Sequence, residues 1–164
     1  MRMSENRGKQ FESVIRDAFR GVPDTSVIRL PDPTNGYLGI RNISDFIVYN
    51  YPYQYFIECK SVHGNRLPFS NITDNQWNGM LEMSKMKGIV AGVICWWIDK
   101  DVTAFIPIQT LNIWKTQTEM KSVSPDMCLK DLDVIQISGK KKRIFFEYDM
   151  TQFFMDIKDS TLYR

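Results

Sequence analysis

The sequence predicts an α/β fold in which one mixed central sheet is flanked by helices. Amphipathic helical patterns alternate along the chain with groups of short apolar runs, in the order helix, strands, helix, strands, and this order suits a layered architecture. The chain has 164 residues, 43% of them apolar and 24% charged, which is enough for a globular domain with a sizeable core. Because no repeat, low-complexity segment or linker interrupts the pattern, we expect residues 1–164 to form a single domain.

The first predicted element is an amphipathic helix over residues 4–20. Its apolar side chains recur at helical spacing, Ser4 is the expected N-cap, and Gly21 and Pro23 end it. The apolar run that follows at 26–30 predicts a short strand.

Two more strands are predicted after a loop at 31–39, which carries two prolines and two glycines. Residues 45–49 and 53–60 are aromatic-rich apolar runs, and Pro52 between them cannot continue the first hydrogen-bond ladder. We therefore expect a hairpin, followed by a loop at 61–73.

The rest of the chain is predicted from apolar periodicity and turn residues. In order, the elements are a helix at 73–87, a fully apolar strand at 88–98, a strand at 102–107, a helix at 108–116, strands at 133–138 and 143–149, and a helix at 151–158. We expect the last two strands to form a hairpin that turns through the sequence GKKK, and the segment between 116 and 133 to be a polar connection.

Composition argues against several classes of protein. The three cysteines, Cys59, Cys95 and Cys128, are odd in number and widely spaced, so they do not form a disulfide framework or a zinc site, and a reducing cytoplasmic location is expected. There is a single histidine, His63, which leaves carboxylates as the ligands for any divalent cation. We expect His63 in a solvated loop, and the alternative is a contact with a phosphate. No apolar run has the length of a membrane span, so no membrane association is expected.

Basic residues are concentrated although the net charge is only +2. They lie in residues 1–20 and in the sequence KKKR at 140–143. Both clusters can contact the phosphates of a nucleic acid. The alternative is a solvated helix face and a charged hairpin turn.

The strongest chemical pattern is the segment SDFIVYNYPYQYFIECKS at 44–61. Alternate residues of a strand share a face, so Glu58 and Lys60 lie on one side of the second strand, and Asp45 opens the strand before it. If the strands pair, the three groups gather at one end of the hairpin. Two carboxylates there can bind a divalent cation through oxygen, with the Cys59 carbonyl as a third ligand, and the lysine can orient a water or neutralise charge on a phosphate.

An acid-x-Lys pattern alone is weak evidence, because it occurs at 58–60, 119–121 and 156–158. Only the first copy ends an apolar strand that follows another strand opening with an acid. The alternative is a surface Glu–Lys pair at a strand edge.

The D-x12-E-x-K spacing of the hairpin resembles the core motif of the PD-(D/E)XK nuclease superfamily, with SD in place of the frequent Pro-Asp. The segment LPFSNITDNQWNGM at 67–80 is similar to the region after the active-site lysine in RecU-type Holliday junction resolvases, whose helix glutamine matches Gln76. The segment NRGKQFESVI at 6–15 is similar to the N-terminal helix of that group and of archaeal junction resolvases, whose glutamate near the metal matches Glu12.

The resemblance implies a restriction-endonuclease-like core and hydrolysis of a DNA phosphodiester that depends on Mg²⁺ or Mn²⁺. The residues that would bind the metal are Asp45, Glu58, Cys59 through its carbonyl, and Gln76. Lys60 would position the attacking water or stabilise the charged transition state, and Glu12 and Gln76 would support the metal and its waters. Resolvases of this type act as homodimers, so the resemblance also implies a homodimer whose partner is branched DNA, in recombination or repair.

Two departures separate the sequence from the RecU group and bear on four-way-junction specificity. Residues 31–43 are too short for the family's full stalk, and Ile43 stands where the family has a hydroxyl residue. The short form fits a phage or mobile-element enzyme. The alternatives are a restriction-type or repair endonuclease on duplex DNA, and a non-catalytic DNA-binding protein with a nuclease fold. For single residues, the alternatives are a solvent-facing Glu12 and a Gln76 that only caps its helix.

Overall fold

The structure is a computed structural model that describes residues 2–31 and 41–164, with side chains from residue 6 onward. Its helices are α1 (Arg2–Arg20), α2 (Asp74–Met83), α3 (Ile108–Gln117), α4 (Pro125–Lys130) and α5 (Met150–Asp159). Its strands are β1 (Thr25–Arg29), β2 (Phe46–Asn50), β3 (Tyr53–Val62), β4 (Leu67–Pro68), β5 (Ile89–Trp97), β6 (Val102–Pro107), β7 (Ser122–Val123), β8 (Ile135–Gln136), β9 (Gly139–Lys141) and β10 (Phe146–Tyr148). From residue 32 onward, the loop predicted at 31–39 lies outside the described residues.

A six-stranded mixed sheet forms the centre of the fold, in the order β1-β2-β3-β5-β6-β8. The β3–β5 pair is parallel, and the other neighbours in this sheet are antiparallel. The parallel pair needs a crossover connection, which α2 provides. The predicted fold class, a mixed central sheet flanked by helices, is confirmed.

Helices cover both faces of this sheet. The aromatic side chains of α1 and α5 pack on one face, where the Tyr55 ring lies 5.2 Å from the Phe154 ring between centroids. The opposite face carries Phe56 and packs against Trp77 and Met80 of α2, together with α3 and α4. Burial on both faces explains the nearly continuous apolar sequences of β3 and β5. Among the described residues, no helix is both long and apolar enough to cross a membrane.

Two predictions are corrected, one for the start of the first helix and one for the segment between 116 and 133. Helix α1 begins at Arg2, so Ser4 lies in its first turn and is not its N-cap. The segment predicted as a polar connection contains β7 and α4. Helix α4 has only six residues, and its signals are local ones, namely the Ser124 side chain that caps it and Pro125 at its first position. So short a helix shows no apolar periodicity.

The predicted C-terminal hairpin is wrong. Strand β8 pairs with β6 at the edge of the central sheet, while β9 and β10 pair with each other in a separate ribbon. Ile135 and Ile137 are buried in the core, which explains why this segment joins the sheet. The basic sequence KKKR at 140–143 begins in β9 and continues past its end. At the surface, Lys141 forms an ion pair with Asp101, and Lys142 forms one with Glu147.

Candidate active site

The β2–β3 hairpin brings Asp45 beside the middle of β3. Asp45 immediately precedes β2 and extends its pairing, because its backbone N–H donates to the Ile57 carbonyl (3.0 Å) and its carbonyl accepts from the Leu30 N–H (2.8 Å). Its Oδ2 atom accepts a hydrogen bond from the Cys59 backbone N–H (2.8 Å). Main-chain contacts on both sides therefore fix this carboxyl group next to Glu58.

Glu58 is the buried acid of the cluster, with only 3% of its side chain exposed. Its Oε1 atom accepts hydrogen bonds from Lys60 Nζ (2.7 Å) and from Gln76 Nε2 (2.7 Å). Its Oε2 atom is buried and has no hydrogen-bond partner in the described part of the chain. Since a buried carboxylate oxygen normally has a partner, this atom is the clearest open ligand position of the cluster.

Gln76 both caps α2 and holds Glu58. Its amide oxygen accepts from the Thr73 backbone N–H (3.0 Å), and its own backbone N–H donates to Thr73 Oγ1 (3.3 Å), which completes a capping box. The capping contact fixes the amide so that its NH₂ group points at Glu58. Gln76 therefore caps its helix and at the same time contacts Glu58. In this orientation the amide oxygen is occupied, so a role as metal ligand would require it to leave Thr73.

Glu12 lies near the two carboxylates and pairs with Arg29, whose Nη2 atom is 3.5 Å from Glu12 Oε2. Its side chain is 22% exposed. It is close enough for its negative charge to raise the pKa of both Asp45 and Glu58. Glu12 therefore adds a third negative charge at this place and is not simply a solvent-facing residue of α1.

Burial and the clustering of acids together raise the pKa values of Asp45 and Glu58. Burial first, and then the charges of Glu58 and Glu12, raise the pKa of Asp45 to about 8, against the effect of the Cys59 N–H. Burial also raises the pKa of Glu58, although Lys60 and Gln76 oppose the shift. A cation between the two carboxyl groups would compensate this negative charge, because an opposite charge favours the ionised form.

The donor set suits a hard divalent cation that keeps several waters. Within residues 2–31 and 41–164, no group of three or more His, Cys, Asp and Glu side chains is arranged to hold a metal. Mg²⁺ often binds through one or two carboxylates and completes its shell with waters and substrate phosphates. Asp45 and Glu58, with the open Oε2 atom, fit that pattern. Burial raises the pKa of the Cys59 thiol well above its ordinary value, so only the carbonyl of this residue is a plausible ligand.

Asn75 is a residue of the site that the sequence did not reveal. Its Nδ2 atom donates to the carbonyls of Arg41 (3.1 Å) and Asn42 (3.1 Å), just before Asp45. One turn later, a Cβ atom added at Gly79 would lie 2.2 Å from Ile43 Cγ2, so this glycine permits a close approach. Helix α2 thus holds the segment that leads to Asp45 through Asn75, and it holds Glu58 through Gln76. Sequence offers no signal for contacts so distant along the chain.

The other two acid-x-Lys patterns lie elsewhere. Glu119 and Lys121 follow α3, and the Lys121 carbonyl accepts a hydrogen bond from Phe69. Asp156 and Lys158 belong to α5, and Asp156 accepts a hydrogen bond from a neighbouring glutamine of that helix. Neither pattern contributes to the contacts around Glu58.

The comparisons with known proteins give structural likenesses but no match in sequence. No family model matches the sequence, and no curated protein matches it. Among solved structures, the chain is similar to Hjc of Archaeoglobus fulgidus, a Holliday junction resolvase from an archaeal hyperthermophile. The two chains are 16% identical, the match covers 74% of this chain and 88% of that one, and the TM-score is 0.48.

Proposed function

We propose that this protein is a metal-dependent DNA endonuclease that hydrolyses phosphodiester bonds, and that its substrate is branched DNA such as a four-way junction. The observation that carries the proposal is the meeting of Asp45, Glu58 and Lys60 on one hairpin. One oxygen of Glu58 is held by Lys60 and Gln76, and the other is buried without a partner among the described residues. A structural ion pair does not require a second acid beside it or an open oxygen.

Each residue of the cluster has a task in phosphodiester hydrolysis. Mg²⁺ or Mn²⁺, bound by Asp45 and Glu58 with the Cys59 carbonyl, would supply Lewis-acid stabilisation of charge on the phosphate. Lys60 has three N–H donors, of which Glu58 takes one. The others can hold the attacking water or a phosphate oxygen. The side chain is 22% exposed, so substrate can reach it.

Gln76 and Glu12 act on the two carboxylates. Gln76 fixes one Glu58 oxygen, and the other is left without a partner among the described residues and would be the one to bind the cation. Glu12 adds negative charge, which increases the affinity of the cluster for a cation. Both are positioning residues in this scheme, and neither needs to touch the reacting phosphate.

Branched DNA as substrate and a homodimeric state are supported by the resemblance of the sequence to junction resolvases. The basic residues on α1 support contact with DNA phosphates. Symmetric cleavage of a four-way junction needs two active sites, which a homodimer provides. Residues 31–43 stand in place of the family's stalk, and 32–40 lie outside the described residues, so a role of this segment in junction binding stays a prediction.

A cleavage assay tests the proposal. The wild-type protein is incubated in Mg²⁺ or in EDTA with a four-way junction, a fork, a linear duplex and a single strand of equal length. We expect cleavage in Mg²⁺ only, and the junction to be cut fastest. Equal cleavage of junction and duplex would favour a restriction-type or repair endonuclease. DNA binding without cleavage in Mg²⁺ or Mn²⁺ would favour a non-catalytic DNA-binding protein.

A further inference from the structure

A second polar cluster lies beyond the carboxylates, where β3 and β5 end. The two strands are parallel neighbours whose pairing runs to Val62 and Trp97, so the residues that follow them meet at the same edge of the sheet. His63 comes directly after β3, and Asp99 lies in the 3₁₀ turn Ile98–Lys100 after β5. His63 lies in the exposed loop that the sequence predicts, and Asp99 is its neighbour there.

Asp99 holds the His63 ring in one orientation. Its Oδ1 atom lies 3.1 Å from His63 Nδ1, and its Oδ2 atom accepts a hydrogen bond from the Gly64 backbone N–H. An ionised carboxylate only accepts hydrogen bonds, so Nδ1 carries a proton and Nε2 faces the other way. There it lies 3.5 Å from Nη1 of Arg7 on α1.

The gap between Arg7 and His63 suits an oxyanion. A separation of 3.5 Å is at the long limit for a hydrogen bond, so the two side chains engage each other weakly. The His63 side chain is 57% exposed, which leaves it accessible to a ligand. A phosphate oxygen can accept from the guanidinium and from a protonated Nε2, and such charge-assisted bonds are the strong ones. Both carboxylate oxygens of Asp99 are already engaged, one by the His63 ring and the other by the Gly64 N–H, so this acid serves to orient the ring.

We propose that Arg7 and His63, held by Asp99, bind a backbone phosphate of the DNA next to the candidate active site. The inference rests on the proposed function, because it assigns a second contact to the same substrate. From Lys60 to His63 the chain advances about 10 Å at strand geometry, which corresponds to about three base pairs of duplex rise. The site therefore binds a phosphate different from the reacting one and fixes the register of the strand on the protein.

The test is a set of dissociation constants measured by fluorescence anisotropy in Ca²⁺, which blocks cleavage. The variants are Arg7→Ala, His63→Ala, the double variant and Asp99→Asn, each checked for folding by circular dichroism. Loss of one charge-assisted contact should weaken binding roughly fivefold to tenfold for each single variant. The double variant should lose less than the product of the two single losses, because both residues hold one phosphate.

A matched acid distinguishes this site from general electrostatics. Asp101 lies two residues after Asp99 and forms an ion pair with Lys141 at the surface. Removing an acid from a DNA-binding surface ordinarily tightens binding, and we expect Asp101→Asn to do so or to have no effect. Asp99→Asn should instead weaken binding by roughly threefold or more, because one amide oxygen replaces the two oxygens that accept from the His63 ring and the Gly64 N–H.

The outcomes separate the two proposals. If the wild-type protein binds DNA while His63→Ala binds equally well, or if Asp99→Asn tightens binding as Asp101→Asn does, the phosphate site is wrong and the proposed nuclease function stands. If the wild-type protein binds none of the DNA forms, both proposals fall.

Discussion

The substitution Asp45→Asn should make the metal-free protein more stable at neutral pH while destroying its activity. The folded-state pKa of Asp45 is about 8, against an ordinary value of 3.8. The folded state therefore keeps a proton that the unfolded state releases between these two values, so stability falls as pH rises through this window. At about 1.4 kcal/mol per pKa unit, titration of Asp45 lowers the free energy of unfolding by about 4 kcal/mol at pH 7, compared with its value below pH 4.

The asparagine removes this cost and keeps the contact with the backbone. Its amide oxygen can still accept the hydrogen bond from the Cys59 N–H, and its NH₂ group can donate to the neighbouring Glu58. We expect wild type and variant to have similar free energies of unfolding near pH 4, and the variant to be more stable by about 4 kcal/mol at pH 7.

Urea denaturation in EDTA at pH 4, 5.5, 7 and 8 measures this difference. Mg²⁺ at pH 8 should stabilise the wild type, since a cation that binds only the folded state shifts the equilibrium by mass action, and should leave Asp45→Asn unchanged. The exposed Asp159 provides the matched control, because Asp159→Asn should alter stability by no more than about 0.5 kcal/mol at every pH.

A constant stability difference between wild type and Asp45→Asn from pH 4 to 8 would refute the reasoning, because it would mean that Asp45 titrates alike in the folded and unfolded states. Equal stabilisation of both proteins by Mg²⁺ would show that the cation binds elsewhere.

Other substitutions test single contacts. Lys60→Ala should abolish cleavage in Mg²⁺, while Lys121→Ala and Lys158→Ala should retain it; an equal loss at Lys121 would mean that the wrong acid-x-Lys pattern was chosen. Gln76→Ala should lower the free energy of unfolding, measured with urea, by about 1 kcal/mol because the capping box is lost, and it should also lower kcat. A normal kcat would mean that this residue only caps its helix. Asn75→Ala leaves two carbonyls without a donor, so it should cost about 1–2 kcal/mol and raise the Mg²⁺ concentration for half-maximal cleavage; an unchanged Mg²⁺ requirement would contradict a positioning role.

The sheet and the hairpin could be predicted because their signals are local. Runs of apolar and aromatic residues mark β3 and β5, and Pro52 marks the break before β3. Strand periodicity puts Glu58 and Lys60 on one face, and hairpin pairing then brings Asp45 beside them. Their meeting follows from spacing and pairing alone, while their catalytic roles stay predictions.

The missed features depend on contacts between distant segments. Strand β8 joins the central sheet because Ile135 and Ile137 are buried there, and no local pattern distinguishes this from a hairpin. The contacts of Asn75 reach carbonyls more than 30 residues away. The ring orientation of His63 depends on Asp99, 36 residues along the chain. Such pairs become visible only when the parallel β3–β5 arrangement is known.

The most direct test of the central claim is the single-turnover rate of junction cleavage in Mg²⁺ for Glu58→Gln against Glu119→Gln. The first variant keeps the size of the side chain and removes the buried charge, whereas the second changes the acid of a competing acid-x-Lys pattern. We predict that Glu58→Gln lowers the rate by ~100-fold or more, a loss of roughly 3 kcal/mol of transition-state stabilisation, with junction binding in Ca²⁺ retained or tightened, and that Glu119→Gln cleaves like wild type. Cleavage by Glu58→Gln at the wild-type rate would contradict the assignment of the active site.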